Sequence, residues 1–88
     1  MFCKNILSLF SGKKVLITGG TGSLGTNLTK KLLKTDIDTI RIFSRDELKQ
    51  TQMQQHFDDN RLRFFIGDVR DKERLSRALE GINIVIHA

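Results

Sequence analysis

Hydrophobic residues in this chain alternate between short unbroken runs and sparser stretches with helical spacing. The runs are KVLIT at 14–18, TIRIF at 39–43, LRFFIG at 62–67 and INIVIHA at 82–88. Short, β-branched and almost uncharged, such runs are expected of strands, those in the middle of a sheet being buried on both faces. Between the first two, Leu24, Leu28, Leu32 and Leu33 recur at helical spacing with lysines opposite, predicting a helix over 23–35. Ser44 followed three residues later by Glu47 has the form of a capping box. It predicts a second helix from there to about Phe57, with Leu48, Met53 and Phe57 inward. After a polar break at 58–60 and the third run, Asp71 is placed to cap a third helix carrying Leu75, Ala78 and Leu79, and Gly81 to end it.

Four strands alternating with three helices call for an α/β fold with a parallel sheet and right-handed crossovers. In a doubly wound order the first three strands lie 3-2-1 and the fourth lies beyond the first. The first two helices then cover one face and the third covers part of the other. The fourth strand is left as an edge that carries no charge apart from its histidine and is poorly protected against other chains. This is half of a doubly wound sheet, so the expectation is a truncated piece of a longer protein.

The junction of the first strand and first helix is rich in glycine: TGGTGSLG spans Thr18 to Gly25, and Gly19, Gly22 and Gly25 are spaced G-x-x-G-x-x-G. A helix N-terminus presents unpaired N–H groups and a partial positive charge, which together hold a phosphate or diphosphate. Gly19 permits the tight turn, Gly22 lets the diphosphate reach the backbone, and Gly25 lets the helix pack closely on the strand. Thr21 and Ser23 can add hydroxyl donors, with Leu24 beside them in the first turn. The Lys-Ser/Thr ending of a nucleoside-triphosphate loop is missing. A purely structural turn and a site for another phosphate ligand are the competing readings. With a strand before it and a helix after it, the motif points to a dinucleotide site, and residues 13–88 read as the N-terminal half of a Rossmann domain after an extension at 1–12.

The second strand ends in Ser44-Arg45, where an NAD site usually carries an acid for the ribose 2′-hydroxyl. A guanidinium can grip a 2′-phosphate with two hydrogen bonds, and Lys49, four residues on and expected on the same helix face, can add charge. NADP is therefore favoured over NAD. Asp46 and Glu47 leave some room for NAD, although first-turn acids also serve the helix dipole. Asp68, with Val69 after it, stands at the carboxyl edge of the third strand, where a carboxylate can accept from an adenine amino group or simply cap its loop. His87, ending the fourth strand, reads as structural rather than catalytic.

Composition changes this picture little. Fifteen Lys and Arg against ten Asp and Glu give +5, which favours anionic ligands. The basic residues are dispersed, which argues against a nucleic-acid or membrane patch. A single cysteine, Cys3, excludes an internal disulfide and suits a reducing, cytoplasmic setting. Phe2, Ile6, Leu7, Leu9 and Phe10 suggest a short amphipathic helix rather than a signal peptide.

TGGTGSLG, FSRDELKQ, RFFIGDVRDKERL and the final IHA, in that order, resemble the extended short-chain dehydrogenase/reductase superfamily. Within it the chain is most similar to the inverting UDP-N-acetylglucosamine 4,6-dehydratases of bacterial surface-sugar biosynthesis. The resemblance implies NADP as cofactor, UDP-N-acetylglucosamine as substrate and a homo-oligomer at full length. It implies a reaction in which C4 is oxidised, water is lost across C5 and C6, hydride returns to C6 and C5 is inverted. It also implies that Thr18, Gly19, Gly22 and Gly25 surround the diphosphate, that Ser44 and Arg45 meet the 2′-phosphate, and that Asp68 and Val69 line the adenine pocket. Ala88 would begin the edge near the nicotinamide ribose. The family's Tyr-x-x-x-Lys pair is not here, since the 88 residues contain no tyrosine; on their own they are expected to be inactive. A UDP-sugar 4-epimerase, a non-enzymatic nucleotide-binding remnant and a nucleic-acid-binding piece are the competing expectations.

Overall fold

The computed structural model describes residues 9–88. Seven elements follow one another: β1 Lys14–Thr18, α1 Ser23–Leu32, β2 Thr39–Ser44, α2 Glu47–Phe57, β3 Leu62–Ile66, α3 Lys72–Leu79 and β4 Ile84–His87. The strands form one parallel sheet in the order β3-β2-β1-β4, the doubly wound arrangement expected from the sequence. The helix expected over Phe2 to Phe10 lies outside the described residues except for its last two, which belong to a turn.

Alternation along the strands divides the core into two layers. Val15, Ile17, Ile40, Ile42 and Leu62 face one side, where Leu32 of α1 and Met53 of α2 close over them. Leu16 and Phe43 face the other side and meet Ala78 of α3. The central strands β1 and β2 thus bury apolar residues on both faces, as their sequence pattern requires. β4 is an edge strand, and on it Val85 is more than half exposed on the α3 side.

Several boundaries depart from expectation for local reasons. α1 stops at Leu32 rather than Thr35, and Leu24, expected in its apolar stripe, is 67% exposed. The buried stripe runs through Gly25, Thr29 and Leu32 instead. Ser44 does not cap α2: it remains in the β2–β3 ladder opposite Ile66, and Asp46 caps α2 by accepting from the Lys49 N–H at 3.0 Å. Leu48, expected inward, is exposed, and Gln50 is buried in its place. β3 ends one residue before Gly67, and β4 begins at Ile84, because Asn83 turns its side chain to accept from the Lys14 N–H. Asp71 caps α3 as expected, and Gly81 follows its end at φ +74°.

At the opposite end of the sheet Arg61 acts as a clamp. Its guanidinium donates to the carbonyls of Leu33 and Thr35 just beyond α1 and to the Asp59 carboxylate. Those bonds push the Asp59 carboxyl below its ordinary range and the Arg61 guanidinium above its own.

Candidate functional site

The carboxyl ends of the four strands lie in register, with Thr18 level with Phe43 on one side and His87 on the other. Thr18 is buried, and its hydroxyl meets His87 Nδ1 at 2.5 Å, which ties the β1 and β4 tips together. The chain then turns at Gly19, where φ is +67° and a Cβ would stand 2.8 Å from the Ala88 carbonyl oxygen. Positive φ and lack of space both require glycine here. The Gly19 N–H donates to the Phe43 carbonyl at 2.9 Å, and the Gly22 N–H donates back to the Gly19 carbonyl at 3.3 Å.

Gly22 is the N-cap of α1, and among the described residues no side chain caps this helix and no acid lies in its first turn. The first helical bond runs from Thr26 N–H to the Gly22 carbonyl, leaving the Ser23, Leu24 and Gly25 amides without intrahelical acceptors. α2 and α3 are built differently. Asp46 and Asp71 close their N-termini, and Glu47 and Glu73 follow in the first turn. At Gly25 a Cβ would lie 2.5 Å from both Cα and the carbonyl oxygen of Gly20, so α1 rests directly on the loop backbone.

Beside this loop is a cleft of about 450 Å³ whose lining includes Gly19, Ser44, Arg45, Asp68, Val69 and His87. Arg45 leaves the end of β2 with its side chain 74% exposed and reaches to 3.6 Å from the Asp68 carboxylate. Asp68 also accepts from the Arg70 side chain and from the Arg70 backbone N–H, each at 2.9 Å. The bonds from Arg70, helped by the charge of Arg45, hold the Asp68 carboxyl down at about 2 against an ordinary 3.8. Asp68 thus caps its own loop, one of the two parts expected of it, and borders the cleft. Contrary to expectation, Lys49 does not share a helix face with Arg45, which precedes α2. It lines a second groove, of about 540 Å³, together with Thr21, Gly22 and Ser23 at the open end of α1.

A dinucleotide needs free donors for its diphosphate, a backbone without side chains in the way, and no competing carboxylate at the helix start. The β1–α1 corner meets all three conditions, and the residues fit such a group. Asp46, the acid nearest the end of β2, spends one carboxylate oxygen on capping α2. Among the described residues no His, Cys, Asp and Glu cluster could hold a metal ion.

The sequence reading gave no part to four neighbours of the site. Gly20 is wedged between Ile17 and Ile42, and Gly67 between Arg74 and Phe43. Arg70 holds Asp68, a local pairing that Asp-x-Arg spacing could have suggested. Gln50 lies three residues before Met53 and seven before Phe57, so the helical period that placed those two inward also pointed at it.

The chain matches the family described as Polysaccharide biosynthesis protein over residues 15–88. It is 57% identical over 81 residues to an inverting UDP-N-acetylglucosamine 4,6-dehydratase of Campylobacter jejuni, covering 91% of this chain and 24% of that protein. A UDP-glucose 4-epimerase of Rickettsia rickettsii is 45% identical over 84 residues, covering 91% and 25%. The chain thus spans about a quarter of the length of the curated relatives it matches. Among solved structures, Pen from Bacillus thuringiensis superposes with a TM-score of 0.86 at 38% identity, over 90% of this chain and 25% of that one. A Veillonella parvula short-chain dehydrogenase/reductase in complex with NADP superposes at 0.73 and 26% identity, covering 85% and 34%. With an open helix start on a doubly wound sheet and this breadth of sequence identity, the chain belongs to the polysaccharide biosynthesis protein family, on the fold of the short-chain dehydrogenases/reductases.

Proposed function

We propose that residues 13–88 are the NADP-binding N-terminal half of the cofactor domain of an inverting UDP-N-acetylglucosamine 4,6-dehydratase, a cytoplasmic lyase that works as a homo-oligomer. The observation that carries this reading is that the uncapped start of α1 and the guanidinium of Arg45 open onto one edge of the sheet. Identity to the Campylobacter enzyme supports the sugar-nucleotide chemistry.

In this reading the amides of Gly22, Ser23 and Leu24, with the hydroxyls of Thr21 and Ser23, hold the diphosphate. Lys49 adds positive charge on the Thr21–Ser23 side. Ser44 and Arg45 meet the 2′-phosphate, Asp68 and Val69 border adenine, and Ala88 borders the nicotinamide ribose. An ionised carboxylate has about four acceptor positions, so Asp68 can keep Arg70 and still accept from an amino group. NADP, when bound, supplies reversible hydride transfer. These 88 residues contribute binding and orientation but no tyrosine to move a proton, so by themselves they are inactive toward UDP-sugars.

Calorimetric titration with NADP and NAD tests the cofactor assignment. Arg45→Ala is expected to weaken NADP roughly tenfold or more, the scale of a lost charge-assisted hydrogen bond, and NAD less than about twofold. Equal losses would remove Arg45 from the 2′-phosphate, and a native preference for NAD would overturn the choice of cofactor. The Rickettsia relative favours a second reading, a UDP-sugar 4-epimerase. Mass spectrometry of products from the full-length protein separates them: the dehydratase product is lighter by one water, whereas an epimer has unchanged mass.

A further inference from the structure

Gln50 is a polar residue in an apolar position. It is 4% exposed, on the face of α2 that packs against the sheet. Burying an amide in such a place is costly unless it is bonded. Its Nε2 donates to Ser44 Oγ at 2.9 Å, to the Phe65 carbonyl at 2.9 Å and, more weakly, to the Ser44 carbonyl at 3.3 Å. Two of these acceptors are carbonyls, which have no proton to give. The amide must therefore present its nitrogen, and a flipped amide would set oxygen against oxygen.

Two consequences reach the cleft. The first is positional. Ser44 is the last residue of β2 and Arg45 follows it; Phe65 lies two residues before Gly67 and three before Asp68. In the ladder Ser44 stands opposite Ile66, so the Gln50 bridge to Phe65 is an additional tie between the strand ends. It meets the Gly67 N–H on the same Ser44 carbonyl. The spacing between the exits of Arg45 and Asp68 is thereby held from behind.

The second consequence concerns a proton. A hydroxyl facing a phosphate has to donate. With Gln50 Nε2 donating to Ser44 Oγ, the Ser44 hydroxyl cannot spend its proton on Gln50 and keeps it for another acceptor, and Ser44 is among the residues that border the cleft. An apolar residue at position 50 could fill the same volume. It would also leave Ser44 Oγ and the Phe65 carbonyl without the donor that ties them together.

We propose that Gln50 is a positioning residue for 2′-phosphate recognition, keeping the Ser44 proton for the phosphate and fixing the strand end that carries Arg45. The proposal rests on the assignment of Ser44 and Arg45 to the 2′-phosphate. It is tested by calorimetric dissociation constants for NADP and NAD with the 88-residue chain, Gln50→Met, Ser44→Ala, the double variant and Arg45→Ala. Gln50→Met is expected to weaken NADP about tenfold and NAD less than about twofold, the scale of one hydrogen bond to a charged group. Ser44→Ala should do the same, and the double variant should be little worse than either single one, because both remove one device.

A Gln50→Met variant that loses affinity for both nucleotides equally is merely loosened and overturns the proposal, as does one that loses none. Should that variant fail to fold, Ser44→Ala decides: unchanged NADP affinity overturns the proposal, whereas a selective loss supports it. A native protein without preference for NADP overturns the parent assignment and this one together. Selectivity that depends on Arg45 but not on Gln50 overturns this one alone.

Discussion

Gly25 and Gly22 are three residues apart in the same loop, yet the structure gives them opposite reasons for being glycine. A Cβ at Gly25 would lie 2.5 Å from Gly20 Cα, 2.5 Å from its oxygen and 2.6 Å from its carbonyl carbon. Ordinary carbon contacts need about 3.5 Å or more, so α1 would have to lift by about 1 Å. Backbone meets backbone here, and no rotamer can relieve the overlap. Overpacking of this kind costs about 1–3 kcal/mol, with a rigid contact at the upper end. Alanine in place of glycine inside a helix returns about 1 kcal/mol. Steric cost wins by about 2 kcal/mol, which in a domain of this size lowers Tm by roughly 8–16 °C. At Gly22 the nearest atom to a Cβ is 3.7 Å away and φ is −75°. Gly22→Ala loses a slightly better N-cap residue and gains from a stiffer unfolded chain, two effects of about 0.5–1 kcal/mol that nearly cancel. Its Tm should stay within roughly 4 °C, while its methyl, standing where the proposed diphosphate would approach, should weaken NADP by about tenfold or more. Thermal unfolding followed by circular dichroism, paired with calorimetry, reads both. A Gly25→Ala protein as stable as the native one, or a Gly22→Ala protein that still binds NADP normally, would refute the reasoning.

The remaining predictions concern charge. Because the Asp68 carboxyl is held at about 2 rather than 3.8, its stabilising contribution is complete above about pH 4 and is lost as pH falls through 2. The gap in urea midpoint between the native chain and Asp68→Asn should accordingly be constant above pH 4 and close below it. The carboxyl carbon should titrate near 2 by NMR, and Arg70→Ala should move it up toward 3.8; a native midpoint already near 3.8 would contradict the pairing. Arg61→Ala strands the Leu33 and Thr35 carbonyls and Asp59, and should cost about 1–3 kcal/mol, seen as a lower urea midpoint at unchanged slope. Arg61→Lys should recover little of this, since one ammonium cannot reproduce the planar fork.

The strands were legible because β1 and β2 bury both faces, and that leaves unbroken apolar runs of a kind that amphipathic helices and surface loops seldom contain. Helix starts were less so. Ser44 and Asp46 both suit an N-cap, and the choice depended on β2 holding Ser44 in its ladder, a long-range pairing with Ile66 that no local pattern contains. Leu24 misled for a geometric reason. It lies roughly a quarter-turn off the Gly25–Thr29–Leu32 stripe, and the small residues of that stripe carry no hydrophobic signal although Gly25 lies directly against the Gly20 backbone. At the site, spacing alone was enough to expect the glycine loop. Arg45 and Asp68 could be expected at one edge once the strand order was inferred. That Arg70 would occupy Asp68 from within its own loop, and that Gln50 would sit beneath Ser44, depended on side-chain reach.

Three helices begin at the same end of this sheet, and how each start is satisfied is itself an energetic argument. An Asp or Ser at an N-cap is worth about 1 kcal/mol over alanine and roughly a few tenths over glycine, and α2 and α3 both take an aspartate. α1 does without, in a chain with ten acids available. A merely structural turn gains nothing from that omission, because a Cβ at Gly22 would meet nothing nearer than 3.7 Å. The omission makes sense when the amides are satisfied by an anion from outside, which an aspartate there would repel. The Arg45–Asp68 pair obeys the same logic. Exposed ion pairs at such a distance are worth at most about 1 kcal/mol, and Asp68 is already held by Arg70. Arg45 therefore gives up little on turning to a phosphate, and Asp68 is not left uncompensated when it does. Open donors and a lightly held guanidinium on one edge form a site whose own structure loses little when an anionic ligand enters.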